Sequence, residues 1–145
     1  MESSTKRVLL VEDLEDDVLF FQLACKGAGF EPALEVKANG DDAIAYLESV
    51  GDDTIPHLIL LDMKMPRTSG LEVLAWIRKQ EKFKELPVVM LTSSSNPEDI
   101  SNAMKLGANS FITKTGDLDR LKGIIGAVLH YWLDLNRQSV EHLRT

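Results

Sequence analysis

Four polar side chains in this sequence each stand at the C-terminal end of a short apolar run. Asp13 follows VLLVE, Asp62 follows LILL, Thr92 follows PVVML and Lys114 follows SFIT. In a parallel α/β sheet, side chains at such strand ends share one crevice. Carboxylates there would bind a hard divalent cation, and an ammonium and a hydroxyl would bind phosphoryl oxygens. The pattern therefore predicts an aspartate that accepts a phosphoryl group.

Each of these side chains has an expected role. Glu12, Asp13 and Asp62 form a predicted carboxylate cluster whose members repel one another unless a cation is present. Mg²⁺ suits this cluster because it binds through one or two carboxylates, keeps several waters and joins a phosphate. Asp62 precedes a Pro-containing turn, so we expect its carboxylate to enter the crevice as the nucleophile. Lys114 is expected to pair with Asp62 at rest and with phosphoryl oxygens afterwards, while Thr92 donates a hydrogen bond to one of those oxygens.

The elements that must position these side chains follow from the hydrophobic pattern. Short apolar runs alternate with helix-period segments, which is typical of βα units and a parallel sheet. The expected strands cover Arg7–Glu12, Leu34–Ala38, His57–Asp62, Pro87–Thr92 and Asn109–Thr113. Five such units predict a doubly wound α/β fold, a flavodoxin-like three-layer (βα)5 sandwich with the parallel strand order 2-1-3-4-5. In that order the first and third strands are neighbours, so Asp13 and Asp62 lie side by side.

Capping residues mark where the intervening helices start and stop. Asn39, Asn96 and Asp117 are expected N-caps, and a proline follows Asn96 at the first helical position. Gly107 is the expected glycine after the end of the fourth helix. These signals place each helix between two of the expected strands.

Length and composition limit the class of protein. The 145 residues fit one domain, and a formal net charge of −7 argues against nucleic-acid binding, which needs a basic surface. The single cysteine, Cys25, excludes an intrachain disulfide and suits a reducing compartment. The N-terminal residues are too short and polar a segment for a signal peptide, and no run of 18 apolar residues exists. We therefore expect a cytoplasmic protein without membrane contact.

Four motifs resemble the receiver domain of two-component response regulators, over about Lys6 to His130. They are Val11-Glu12-Asp13, Leu60-Leu61-Asp62-Met63-Lys64-Met65-Pro66 with Ser69-Gly70, Leu91-Thr92-Ser93, and Phe111-Ile112-Thr113-Lys114. The chain is also similar to stand-alone regulators of bacterial phytochrome-type kinases, which share the VED opening, the Leu-Leu-Asp strand and a late Trp. The resemblance implies a receiver domain over residues 1–130, with no effector domain in residues 131–145.

The resemblance implies a chemical role for each residue of the acidic cluster. Asp62 would be phosphorylated by the phosphohistidine of a sensor histidine kinase, with Mg²⁺ as the cofactor. The ion would be held by Asp13, Asp62 and the backbone carbonyl of Lys64, and Glu12 would assist. The protein would be a phosphoacceptor that catalyses only its own phosphorylation and dephosphorylation.

The resemblance also implies that Thr92 and Phe111 transmit the phosphorylation signal. The Thr side chain would move toward the phosphoryl group, and the aromatic ring would turn inward. Phe111 lies three residues before Lys114, so the two side chains should point to opposite faces of the fifth strand. The output would be contact with a partner protein or a homodimer, through the face made by the fourth helix, the fifth strand and the fifth helix.

The last helix is expected to extend over residues 131–145, beyond the usual end of the family. A helix-period apolar stripe continues through Ile125, Val128, Trp132, Leu135 and Leu143. Either a long helix covers its own sheet, or the overhang packs against a partner or a second copy. We favour the second, because an overhang with an apolar stripe does not bury that stripe alone.

Three positions depart from the pattern usual in the family. Thr115 follows Lys114 where proline is usual, and a cis bond before a non-proline residue costs about 2.5–4 kcal/mol, so we expect a trans path. Leu14 replaces a polar residue after the acidic pair. Lys64 puts a long cation at the mouth of the site.

Three other classes of protein share the fold or the chemistry. A flavin-binding flavodoxin-like protein would need Gly, Ser or Thr donors where this chain has the acidic run EDLEDD, and its purified form would be yellow. A phosphatase with an aspartyl nucleophile commonly has a second carboxylate two residues later, where this chain has Lys64, and it would turn over phosphate esters steadily. A histidine phosphotransfer protein would be an all-helical bundle without these strands.

Overall fold

The structure is a computed structural model that describes residues 5–93 and 96–136. Five parallel strands form one sheet in the order β2-β1-β3-β4-β5. The strands are Arg7–Val11 (β1), Ala33–Lys37 (β2), Leu58–Asp62 (β3), Val88–Thr92 (β4) and Ser110–Thr113 (β5). The fold class and the strand order expected from the sequence are confirmed, with strand ends shifted by one residue at several positions.

Five α-helices connect and follow the strands, together with two short helical turns. The α-helices are Glu15–Gly27 (α1), Gly40–Ser49 (α2), Gly70–Lys79 (α3), Pro97–Leu106 (α4) and Leu118–Leu129 (α5). A 3-10 turn covers Glu81–Phe83, and a π-helical turn covers His130–Leu135. Helices α1 and α5 cover one face of the sheet, and α2, α3 and α4 cover the other. This arrangement gives the three layers that the sequence predicts.

The expected helix caps are confirmed by their hydrogen bonds. The side chains of Asn39, Asn96 and Asp117 each accept a bond from a backbone N–H in the first turn of α2, α4 and α5. Gly107 ends α4 with φ of 107°, in the left-handed region where glycine is favoured. Helix α3 begins with a reciprocal capping box between Ser69 and Glu72, which the sequence reasoning did not single out.

The three central strands are buried on both faces, which explains their uninterrupted apolar sequences. Every residue of β3 and β4 is buried, whereas the residues of β2 at the sheet edge are exposed or half-buried. Cys25 is buried in the layer that α1 forms with α5, as a small core residue. The site residues that follow these strands therefore rest on the most enclosed part of the fold.

The last helix continues beyond its α-helical part. Its α-helical part ends at Leu129, and after the π-helical turn the backbone at Asn136 is extended, with φ of −66° and ψ of 138°. Leu133 is buried and Trp132 packs beside it on the core shared with α1, while Leu135 is 55% exposed. The buried stripe passes from Leu129 of α5 to Leu133 of the π-helical turn, and the expected extension over the remaining residues stays a prediction. Leu143 lies outside the described residues.

Two further observations concern the described residues alone. None of the helices in this part of the chain is long and apolar enough to cross a membrane. No peptide bond in it is cis, so the bond between Lys114 and Thr115 is trans, as expected.

Arg78 ties the end of α3 to the segments that lead into β4 and β5. Its guanidinium donates hydrogen bonds to the carbonyl of Gly107 at 2.9 Å and to the carbonyl of Phe83 at 3.0 Å. It also donates to Oδ1 of Asn109 at 2.8 Å, and the same oxygen accepts from the backbone N–H of Val88 at 2.8 Å. One planar fork of donors thus fixes the end of α4 and the start of two strands.

Replacing Arg78 is expected to destabilise the fold. Arg78→Gln leaves several part-buried acceptors without a donor, which corresponds to a loss of about 1–3 kcal/mol in the free energy of unfolding. Urea denaturation measures this loss as a lower midpoint, and the dependence of the unfolding free energy on urea concentration should stay unchanged. Lys79→Gln, at the exposed neighbouring position, is the matched control and should change stability by about 0.5 kcal/mol or less. Equal stability of the two variants would contradict the role of Arg78.

Candidate functional site

The sheet register brings the expected site residues to one edge. Val11 of β1 lies beside Leu61 of β3, so Glu12 and Asp62, one residue further on, stand at the same level. Thr92 is the last residue of β4, and Lys114 follows the last residue of β5. Four parallel strands therefore deliver these side chains to the same crevice, as the sequence predicts.

Three carboxylates form the centre of the site. Glu12, Asp13 and Asp62 each offer a carboxylate oxygen, and these oxygens lie within 4.8 Å of one another. Glu12 is 3% exposed and Asp62 is 5% exposed, so water screens their charges poorly. Burial raises the pKa of Glu12 to about 7, although Lys114 acts to lower it. Burial also raises the pKa of Asp62, because it disfavours the charged form.

This donor set fits Mg²⁺. The ion prefers carboxylate oxygens, accepts them from one or two side chains and retains several waters. Two buried carboxylates beside a third, with raised pKa values, lack positive charge that a divalent cation would supply. Glu12, Asp13 and Asp62 are the residues that would hold it.

Lys114 is the cation of the site, and its contacts differ from the expected pairing. Its Nζ lies 2.6 Å from Oε1 of Glu12, 3.0 Å from Oδ2 of Asp17 and 3.5 Å from Oδ1 of Asp62. Contact with Asp62 is present, but it is the longest of the three. Burial alone would lower the pKa of Lys114, yet the hydrogen bonds to Glu12 and Asp17 outweigh it and raise that pKa. The ammonium therefore stays charged at neutral pH.

Asp17 is the site residue that the sequence reasoning missed. It lies in the first turn of α1, four residues after Asp13, within the acidic run EDLEDD, whose only consequence at the level of sequence was to disfavour a flavin-binding loop. Helical side chains lean toward the N-terminus of their helix, so a residue one turn into α1 covers the end of β1. That geometry, applied to the acidic run, would have placed Asp17 beside the site.

Thr92 and Phe111 occupy the positions expected for them. Thr92 is fully buried, and its backbone carbonyl accepts a hydrogen bond from the backbone N–H of Lys114 at 2.7 Å. Phe111 lies beside Met90 of β4 and packs against the layer that contains α3 and α4. Lys114 reaches Asp17 of α1 on the other side of the sheet, so the expected opposite orientation is confirmed. Their role as a signalling pair stays a prediction.

The loop after Asp62 is held by a close backbone approach. A Cβ atom at Gly70 would lie 2.1 Å from the carbonyl oxygen of Asp62, so only glycine fits there. The N–H of Gly70 donates to the carbonyl of Met63 at 2.9 Å, which closes the loop. The side chain of Lys64 is exposed at its mouth, and its backbone N–H hydrogen bonds to Asp62. The use of the Lys64 carbonyl as a metal ligand stays a prediction.

Comparison with known proteins identifies the family. Residues 8–126 match the response regulator receiver domain. The chain belongs to this family. Its sequence is 34% identical to the response regulator Rcp1 of Synechocystis over 132 residues, covering 89% of this chain and 90% of Rcp1. It is 33% identical to the probable methanogenesis regulatory protein FilR2 of Methanothrix harundinacea over 132 residues, covering 90% of this chain and 85% of FilR2.

Solved structures agree with this chain in fold. The phosphorylated cyanobacterial phytochrome response regulator RcpA superposes with a TM-score of 0.84 at 34% identity, covering 92% of this chain and 98% of RcpA. The Mn²⁺-bound form of Rcp1 superposes with a TM-score of 0.80 at 33% identity, covering 93% of this chain and 99% of that one. A divalent cation in such a relative agrees with the donor set found here.

The acidic cluster predicts how metal affinity responds to substitution. Asp13→Ala removes one carboxylate and should weaken Mg²⁺ binding by at least about tenfold, since even the loss of a supporting residue around a metal commonly has that effect. Isothermal calorimetry measures the change directly. Asp16→Ala removes the same charge from an exposed position in α1 and should bind Mg²⁺ almost as the natural chain does. Equal affinities of both variants would contradict the site.

Proposed function

We propose that Asp62 accepts a phosphoryl group from the phosphohistidine of a sensor histidine kinase. Receiver domains of response regulators interact with such kinases, and this chain belongs to that family. The observation that carries the proposal is the burial of Asp62 at the end of β3, within reach of Lys114 and beside Glu12 and Asp13. The carboxylate of Asp62 is thus a nucleophile that lies beside an ammonium able to bind phosphate and beside two carboxylates able to bind a cation.

The chemistry assigned to these side chains is phosphoryl transfer between a nitrogen and an oxygen. An Oδ atom of Asp62 attacks the phosphorus, the P–N bond breaks as the P–O bond forms, and the electron pair leaves with the imidazole, which takes up a proton. Lys114 donates hydrogen bonds to the phosphoryl oxygens, and the hydroxyl of Thr92 donates to another. Glu12, Asp13 and Asp62 would hold Mg²⁺, which would neutralise charge on the transferring group.

The acyl phosphate is returned to carboxylate by water. Water attacks the phosphorus, the P–O bond to Asp62 breaks, and inorganic phosphate leaves. The protein thus acts as a signalling component that catalyses only its own phosphorylation and dephosphorylation. Lys64, exposed at the mouth of the loop, is the cation that the incoming water meets.

The signal is proposed to leave through α4, β5 and α5. A hydrogen bond from Thr92 to the phosphoryl group favours one position of the Thr92 side chain, and Phe111 occupies the space that Thr92 vacates on the α4 side. Met104 and Leu106 of α4 are 43% and 37% exposed, which offers apolar surface for a partner protein or a second copy of the chain. Tyr131 and Leu135, both exposed, extend the apolar surface beyond α5.

The proposed kinase is of the phytochrome type. RcpA is a cyanobacterial phytochrome response regulator, and it is 34% identical to this chain with 92% of this chain covered. The proposed domain organisation is a receiver domain over residues 1–130 followed by a C-terminal extension of the last helix over residues 131–145. Such a regulator would meet the kinase in the cytoplasm and signal through protein contact.

Asp62→Asn is expected to abolish phosphorylation while the fold survives. The substitution removes the nucleophile and little volume, so acetyl phosphate with Mg²⁺ should add no phosphoryl group. Intact-mass measurement and hydroxylamine lability of the adduct report the acyl phosphate. Asp53→Asn, in the exposed loop after α2, should label as the natural chain does. Undiminished labelling of Asp62→Asn would refute the proposed acceptor.

Thr92→Ala is expected to accept phosphate and yet lose most of the response. The variant keeps Asp62, Lys114 and the acidic cluster, but it lacks the hydroxyl that donates to the phosphoryl group. Sedimentation velocity with and without phosphorylation measures the change in association.

The matched control is Thr113→Ala, because Thr113 lies beside Thr92 in the sheet register and is exposed. It should respond as the natural chain does. Met104→Glu tests the α4 surface separately, by adding charge where apolar contact is proposed. An identical response of all four proteins would exclude both the hydroxyl and that surface from signalling.

A further inference from the structure

The ammonium of Lys114 is held away from Asp62 by two other carboxylates. An ammonium has three N–H donors, and two of them are used by Glu12 at 2.6 Å and Asp17 at 3.0 Å. The distance to Asp62 is 3.5 Å, longer than the usual range for an N–H···O hydrogen bond. In this structure, two of the donors with which Lys114 would bind the phosphoryl group are bonded to Glu12 and Asp17 instead.

Asp17 differs from Glu12 in what else it does. Among the described residues, the carboxylates close enough to share a metal ion are Glu12, Asp13 and Asp62, and Asp17 is outside that group. Its side chain is 38% exposed and lies on α1, so it belongs to a different element from the strand ends. Glu12 takes part both in the acidic cluster and in the Lys114 contact, whereas Asp17 takes part only in the second.

We propose that Asp17 is a positioning residue that holds Lys114 in a resting position and competes with the phosphoryl group for it. The inference rests on the proposed phosphorylation of Asp62. A phosphoryl group on Asp62 needs the N–H donors of Lys114, and each donor bonded to Asp17 is withheld from it. Phosphorylation therefore requires Lys114 to exchange the Asp17 carboxylate for phosphoryl oxygens.

The competition fixes the direction of the effect. Removing the charge of Asp17 raises the free energy of the resting state but not that of the phosphorylated state, in which Lys114 has left Asp17. The phosphorylated state then becomes relatively more favourable. A half-exposed ion pair is a weak interaction in water, so the corresponding gain in affinity for a phosphoryl group is about two- to fivefold.

Beryllofluoride with Mg²⁺ is the probe, because it bonds to a carboxylate oxygen as a phosphoryl analogue and binds reversibly. Fluorine NMR titration of the bound species gives its affinity. Asp17→Asn should bind beryllofluoride about two- to fivefold more tightly than the natural chain. Asp17→Glu keeps a carboxylate at the position and should bind within about twofold of the natural chain, which a purely structural role of the side chain would not require.

Asp16→Asn is the matched control, since it removes the same charge from the neighbouring exposed position of α1. It accounts for the general effect of one negative charge fewer near an anion site. Tighter binding by Asp17→Asn than by Asp16→Asn supports the competition. Equal binding by these two variants, or weaker binding by Asp17→Asn, overturns it. Failure of the natural chain to bind beryllofluoride would instead overturn the proposed function at Asp62, and the inference with it.

Discussion

The site depends on one ammonium shared among buried carboxylates. Charge removed from water is stable only when a partner of opposite sign and good geometry compensates for it. Lys114 meets Glu12, Asp17 and Asp62, and its positive charge is outnumbered by theirs. The remaining negative charge favours the binding of a divalent cation. The rest of the fold keeps these like charges together.

The apolar sheet supplies that constraint. The strands β1, β3 and β4 are enclosed on both faces, so their ends move little relative to one another. The loop after β3 is closed against the backbone of Asp62 at Gly70, where no side chain fits. Arg78 fixes the start of β5, at the end of the strand away from the site, through hydrogen bonds to Gly107 and Asn109. Carboxylates on so rigid a base cannot separate to relieve their repulsion.

Sequence reasoning predicted the features that depend on local pattern. The strand order, the caps at Asn39 and Asn96, and the placement of Asp62 beside the first strand follow from periodicity and from rules of connection. It did not find Asp17, because the acidic run EDLEDD was interpreted only as repulsive to a flavin phosphate, and the contact with Lys114 spans 97 residues of chain. Nor did it predict the π-helical turn over His130–Leu135, because no proline or glycine marks the end of α5 at Leu129.

The fifth strand connects the two sides of the molecule. Lys114 reaches α1 through Asp17, while Phe111, three residues earlier, packs on the layer of α3 and α4. The backbone of Lys114 is bonded to the carbonyl of Thr92, so the ends of β4 and β5 are joined where the proposed signal begins. A change of partner at the ammonium therefore acts on a short strand of four residues whose opposite face carries the aromatic ring. Because ligands shift an equilibrium only through different interactions with its states, the proposed exchange of Asp17 for phosphoryl oxygens and the proposed movement of Phe111 would contribute to the same free-energy difference.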